Sequence, residues 1–165
     1  MIMITGIFAI GIALGALYAT RSRPEVLYDY FADMPGGDIS IKIGTVILGA
    51  VVVWAMLFFS AFFKFGVQSA SLFVGLRGFL DGFAVLSILR ILGFRGLGLC
   101  FFDVFTAPLL ILMAFFAIGY LKNDIKSGGE YLIKSVIALA LIIVFSYLSA
   151  IVSGAITPDL IKKLI

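Results

Sequence analysis

Arg77 and Asp81 are the two residues whose type and spacing could do chemistry. They stand near the middle of Val67–Gly93, VQSASLFVGLRGFLDGFAVLSILRILG, a run long and apolar enough to cross a bilayer. Charges at membrane depth are costly and usually face a bundle interior, a cavity or one another. Because their spacing is i, i+4, both side chains lie on one face of a helix and can pair. The stretch therefore predicts a central helix that the other apolar segments pack against.

Two interpretations of the ionisable residues Arg77, Asp81 and Asp103 are open. In the functional one, they line an ion or proton pathway, as carboxylates inside a membrane bundle often do. In the structural one, Arg77 and Asp81 neutralise each other and stabilise helix packing. Asp103 is either the cross-helix partner of Arg77 or lies near the interface opposite Arg95. We favour the structural interpretation, because the chain has no histidine and no clustered second carboxylate.

Several kinds of chemistry are excluded by residue type. Without histidine there is no Ser-His nucleophile, histidine metal ligand or histidine proton relay. Cys100 is the single cysteine, so neither an intrachain disulfide nor a cysteine zinc site can form. Asp81 has no second aspartate within a turn or two to help it hold a divalent metal. We therefore predict no catalytic residue, cofactor or metal, and no enzyme.

The composition predicts an integral membrane protein. Of 165 residues, 63% are hydrophobic and 13% charged, with a mean hydropathy of +1.24, whereas a soluble domain has roughly 25% charged residues. The net charge of +3 is too small to indicate nucleic-acid binding. We predict an all-α bundle in membrane lipid, a single domain over residues 1–165 with the two termini on opposite sides. Its five predicted transmembrane helices are Ile2–Thr20, Ile43–Phe65, Val67–Gly93, Leu97–Tyr120 and Tyr131–Ile156.

Small residues predict where these helices approach one another. The first helix contains a GxxxG pattern, which allows close helix–helix contact. Further glycines lie on or near the face that carries Arg77 and Asp81, and these glycine faces leave a homo-oligomer open. A proline is expected to interrupt the fourth helix and free a backbone carbonyl. The residues assigned to helix packing are Gly11, Gly15, Gly75, Gly78, Gly82 and Pro108.

The segment Arg21–Lys42 is the only sizeable polar loop of the chain. Pro24 can open a helix at its first turn, and apolar residues then recur at near-helical spacing until Pro35. This pattern predicts a short amphipathic helix at the membrane surface. It is either a connector, which we favour, or a docking surface for a partner. The apolar residues of this candidate partner surface are Val26, Leu27, Tyr30, Phe31 and Met34.

Several motifs along the chain resemble one membrane protein family. Leu76–Phe83, LRGFLDGF, resembles the basic-Gly-Phe-x-x-Gly-Phe signature of the stage II sporulation protein M family. Gly93–Gly96, GFRG, is similar to its G-x-basic-G turn, and Asp103–Pro108, DVFTAP, to its polar residue followed by a helix-interrupting proline. The opening GIFAIGIALGALYA resembles its first helix. The resemblance covers nearly the whole chain.

The resemblance implies a non-enzymatic scaffold in the cytoplasmic membrane of an endospore-forming bacterium. Such a scaffold recruits peptidoglycan-degrading partners, the stage II sporulation proteins D and P, at the septal or engulfing membrane during forespore engulfment. A transport or export subunit that uses Arg77, Asp81 and Asp103 is the alternative. Lysine and arginine are more frequent on the side of the C-terminus, which favours a cytoplasmic C-terminus. The family resemblance implies a cytoplasmic N-terminus instead, so the orientation stays open.

Overall fold

The computed structural model of the chain describes residues 2–23, 39–94, 103–122, 124–125 and 127–161, with side chains at all of these except 39–43, 45, 92, 103–104 and 152–161. Over this part of the chain the fold is all-α, as predicted. The helices are α1 (Ile2–Arg21), α2 (Ile39–Ser60), α3 (Gly66–Leu92), α4 (Asp103–Leu121) and α5 (Gly128–Ile161).

Three of these helices contain segments long and apolar enough to cross a membrane, which is consistent with a membrane protein. They are Ile2–Arg21, Gly66–Ile91 and Gly128–Ile151, with mean hydropathies of 2.2, 1.8 and 2.2. The other two helices contribute shorter apolar segments, Val46–Ser60 and Phe105–Leu121.

The helix boundaries differ from the prediction at several places. α2 begins at Ile39 rather than Ile43, and α5 covers Gly128–Ile161 rather than Tyr131–Ile156, while the predicted start of the fourth helix at Leu97 lies outside the described residues. The second helix ends at Ser60 rather than Phe65, and a turn over 61–65 separates it from α3. The apolar residues of this turn continue the hydrophobic run, so hydropathy alone could not place the helix end. Pro108 lies inside α4, as predicted, and the helix continues on both sides of it. Pro108 lies in the second turn, where it removes only one backbone hydrogen bond near the helix end.

The helix directions follow from which residues meet. α1 and α3 are parallel, since Phe8 approaches Gly78 and Ala19 approaches Arg90 further along both helices. α2 and α5 are antiparallel, as are α4 and α5, because in each pair the end of the earlier helix lies beside the start of α5. α3 packs against α1, α2 and α4, and α5 packs against α2 and α4. α4 contacts all four of the other described helices, whereas α3 has little contact with α5, so the predicted position of α3 as the helix against which all the others pack is only partly met.

The main core lies where α2, α3, α4 and α5 meet. Leu57, Met113 and Ile142 are fully buried there, together with small residues such as Ala114 and Ala117. Close van der Waals packing stabilises the bundle, and in lipid, whose tails are as apolar as leucine, such packing would be the main driving force. The alanines allow the helices to approach closely enough for that packing.

Candidate functional site

The most extensive helix–helix contact in the described chain is between α1 and α3, and it contains the glycine seam, formed by Gly11 and Gly15 of α1 with Gly75, Gly78 and Gly82 of α3. A Cβ atom on Gly15 would lie 2.0 Å from the carbonyl oxygen of Phe79. A Cβ atom on Gly82 would lie 2.2 Å from the carbonyl oxygen of Ile12. The two backbones are therefore in direct contact, and a methyl group at either position has no room.

The seam is reciprocal, with glycines of each helix facing the backbone of the other. A Cβ atom on Gly11 would lie 2.3 Å from the Gly75 oxygen, and one on Gly78 would lie 2.4 Å from the Phe8 oxygen. Such close approach permits weak Cα–H···O contacts between helix backbones. A Cβ atom on Gly6, earlier on α1, would meet nothing within 4 Å, so Gly6 takes no part. The seam thus sets the register of α1 against α3.

Arg90, in the last turn of α3, caps the end of α1. Its Nη1 donates hydrogen bonds to the backbone oxygen of Ala19, to that of Thr20 at 3.3 Å and to that of Ser22 at 3.1 Å. Carbonyl groups in the last turn of a helix have no partner within the helix and carry partial negative charge. Arg90 supplies both the donor and the positive charge that they require.

We expect Arg90→Gln to loosen the end of α1 without unfolding the bundle. Loss of the cationic cap should cost about 1 kcal/mol locally. Backbone amides of residues 20–23 should then exchange hydrogen about fivefold faster. Hydrogen–deuterium exchange with mass spectrometry measures this rate. Arg21→Gln, an exposed arginine at the same end of α1, is the matched control, and equal exchange in both variants would contradict the capping role.

Arg77 and Asp81 form the ion pair that their spacing predicts. Nη2 lies 2.9 Å from Oδ1, and Nε donates to Oδ2 at 3.2 Å. The pair is therefore a two-point fork, the stronger geometry for arginine and a carboxylate. The side chains are 23% and 19% exposed, which places the pair at the edge of the bundle rather than in its centre.

Arg77 also borders a narrow apolar crevice between α1, α2, α3 and α4. Phe8, Val53, Leu57 and Leu110 are among the side chains that line it. No part of the crevice is wide enough to hold a water molecule. Proton or ion movement through a protein interior requires water or a chain of polar groups. The crevice beside Arg77 provides room for neither, so the local arrangement suits packing better than conduction.

Most of the remaining predicted site residues lie outside the part of the structure in which side chains are described. Asp103 is the first residue of α4, but its side chain lies outside the described part of the structure, as does Arg95. The candidate partner surface, Val26, Leu27, Tyr30, Phe31 and Met34, also lies outside it. Across the residues that are described, no three histidine, cysteine, aspartate or glutamate residues are grouped so that they could hold a metal.

An aromatic cluster joining α2, α4 and α5 was not predicted from the sequence. Tyr131 stacks on Phe58 and Tyr120, with ring centroids 5.3 and 4.8 Å apart, and its hydroxyl donates to the Phe58 oxygen at 2.9 Å. Trp54 Nε1 donates to the Ser135 oxygen at 3.0 Å. Buried tryptophan and tyrosine usually find such partners, so these residue types were the available signal.

Tyr131→Phe should destabilise the bundle by about 1 kcal/mol, because it leaves the ring stacking in place but removes the hydrogen bond to Phe58. Chemical unfolding in detergent micelles, followed by the fluorescence of the single tryptophan, Trp54, reports this change. Tyr147→Phe on the same helix is the control, because Tyr147 is exposed. If the two variants unfold at the same midpoint, the hydrogen bond contributes no stability.

Comparisons of this chain with protein family models, with curated proteins and with solved structures gave no match.

Proposed function

We propose that this chain is a multi-pass protein of the bacterial cytoplasmic membrane that crosses the bilayer with five helices and acts as a non-catalytic scaffold. In this role it recruits peptidoglycan-degrading proteins, of the kind represented by stage II sporulation proteins D and P, during forespore engulfment. The partner identity comes from the resemblance of motifs such as Leu76–Phe83 to the stage II sporulation protein M family. The five spans are supported by the antiparallel packing of α2 and α4 against α5.

The observation that carries the proposal is the paired state of Arg77 and Asp81 beside a crevice without room for water. A scaffold needs helices held in one arrangement, and a two-point ion pair next to closely packed side chains contributes to that. The glycine seam and the Arg90 cap contribute in the same way, because they hold α1 against α3. A transport subunit needs a hydrated polar route instead, and the surroundings of Arg77 are unfavourable for one.

Co-purification from sporulating cells tests the proposal. Tagged protein is extracted in mild detergent, and the recovered proteins are identified by mass spectrometry. We expect a peptidoglycan hydrolase in the eluate, and we expect Tyr30→Ala with Phe31→Ala to reduce its yield. Ile133→Ala, which changes an exposed apolar residue elsewhere on the chain, is the control and should leave the yield unchanged. Recovery of an ATPase or a substrate-binding protein, or of this chain alone, would overturn the scaffold function.

A further inference from the structure

The turn between α2 and α3 exposes three phenylalanine rings around a lysine. We call residues 61–65 the phenylalanine turn. Phe62, Phe63 and Phe65 are 57%, 61% and 67% exposed, and Lys64 between them is exposed as well. Adjacent exposed rings of this size are unfavourable in water and mark a surface that contacts a membrane or another molecule. A turn between two membrane helices usually carries polar residues, so this composition needs its own explanation.

Most of the N–H groups at the phenylalanine turn are hydrogen-bonded within the turn. Within the described part of the chain, no internal bond is seen for those of Lys64 and Phe65, which suits a turn at the headgroup boundary rather than deep in the acyl layer. The N–H groups of Ala61, Phe62 and Phe63 donate to carbonyl oxygens three residues earlier at 3.0–3.3 Å, and that of Gly66 donates to the Phe63 oxygen at 2.9 Å. An unsatisfied backbone N–H in lipid costs several kcal/mol, and these groups avoid that cost. Gly66 keeps the turn tight, since a Cβ atom there would lie 2.0 Å from the Ser60 oxygen.

The adjacent turn between α4 and α5 indicates how deep in the bilayer the phenylalanine turn lies. The ring of Phe62 lies 5.8 Å from that of Tyr120, and the position of a Cβ on Gly66 is 2.5 Å from Leu121 Cδ1. Directly beyond Leu121 come exposed polar residues, including Lys122 and Ser127. Polar turns lie in water, and tyrosines lie at the headgroup level. The phenylalanine turn is therefore level with the boundary between acyl chains and headgroups.

From these observations we propose that the phenylalanine turn is a lipid-binding anchor. Its rings insert into the acyl boundary of one leaflet, and Lys64 extends to the headgroups and binds the phosphate of an anionic phospholipid. Lysine side chains at helix ends extend in this way, with an apolar stem in lipid and the ammonium group among the phosphates. The proposal rests on the membrane location given under the proposed function, but not on any protein partner.

Fluorescence quenching in vesicles tests the depth. Cys100→Ala removes the single cysteine, and Phe63→Cys in this background carries an environment-sensitive fluorophore. The full chain is reconstituted into phosphatidylcholine vesicles with one quarter phosphatidylglycerol. We expect lipids with a nitroxide high on the acyl chain to quench the label strongly and aqueous iodide to quench it weakly. Ser127→Cys, in the polar turn, should show the opposite pattern.

Three outcomes would overturn the anchor. Iodide quenching at position 63 equal to that at position 127 would place the turn in water. If neither the nitroxide lipids nor iodide quench the label at position 63, the turn is covered by protein, such as a second copy of the chain. If the chain fails to insert into the vesicles at all, the membrane location itself is wrong. None of these outcomes depends on recovery of a hydrolase, so they are distinct from a failure of the scaffold function.

A second comparison tests the preference for anionic lipid. Nitroxide-labelled phosphatidylglycerol should be enriched about fivefold over labelled phosphatidylcholine beside position 63, the effect expected for one lysine at a membrane surface. Lys64→Gln should remove this enrichment. Lys122→Gln, in the adjacent polar turn, should leave it unchanged. Equal quenching by the two lipids in the unchanged chain would overturn the role of Lys64.

Discussion

Gly15→Ala is expected to separate α1 from α3, because the added methyl group meets backbone rather than a side chain that can move. Its Cβ would lie 2.0 Å from the Phe79 oxygen and 2.8 Å from the backbone nitrogen of Phe83. Overpacking of this kind costs about 3 kcal/mol. Alanine has the higher helix propensity, but that gain is only about 1 kcal/mol. Unfolding in detergent micelles should therefore show a large net destabilisation.

Gly6→Ala is the matched control for this prediction. Gly6 lies on the same helix, and a side chain there would meet nothing within 4 Å. The control should unfold at the same denaturant concentration as the unchanged chain or at a slightly higher one. If Gly15→Ala behaves like Gly6→Ala, the close approach of the two helices is wrong. Gly82→Ala should reproduce the destabilisation from the α3 side of the seam, since it meets the Ile12 backbone at 2.2 Å.

Asp81→Asn alone should be more damaging than the removal of both charges. The single change leaves the Arg77 guanidinium partly buried without its carboxylate, and breaking such a pair costs about 3 kcal/mol. Arg77→Gln combined with Asp81→Asn leaves no net charge, so it should recover much of that loss. A double-mutant cycle of unfolding free energies measures the coupling between the two residues. Equal destabilisation by the single and the double variant would contradict a mutually stabilising pair.

The same double variant separates the two functional hypotheses. A scaffold that still folds should keep its partners, so Arg77→Gln with Asp81→Asn should co-purify a hydrolase as the unchanged chain does. A transport subunit would fold but lose activity, because its polar route depends on those charges. A folded double variant that recovers no hydrolase would count against the scaffold, since it would assign the pair a role beyond stability.

Local sequence patterns predicted those features of the site that involve residues of a single helix. The i, i+4 spacing of Arg77 and Asp81 places both on one face of any helix, and the structure pairs them. The GxxxG pattern of Gly11 and Gly15 indicates close contact with some helix. Neither pattern says which helix is the partner, and the parallel packing of α1 on α3 could not be derived from it. Partner choice depends on how all the helix surfaces fit together.

Contacts between residues distant in sequence could not be predicted for the same reason. Arg90 caps carbonyl groups 68 to 71 residues earlier in the chain, and Trp54 donates to Ser135, 81 residues later. A single sequence carries no signal for such pairs. The phenylalanine turn was assigned to a helix because its rings continue an apolar run. Its hydrogen bonds to carbonyl oxygens three residues earlier and the tight approach of Gly66 to Ser60 distinguish it from an α-helix.

Parallel packing of α1 on α3 also orders the events of biosynthesis. α1 is made first, but the surface that receives Gly11 and Gly15 is complete only when α3 has left the ribosome. In the proposed membrane arrangement, and at roughly 5–20 residues per second, α1 would spend seconds in the membrane with its glycine face turned to lipid. Helices that insert independently and associate afterwards are the general expectation for membrane proteins. In that arrangement α1 would have to be stable as a lone span before it docks, and its apolar length, rather than its contacts with α3, would provide that first stage of stability.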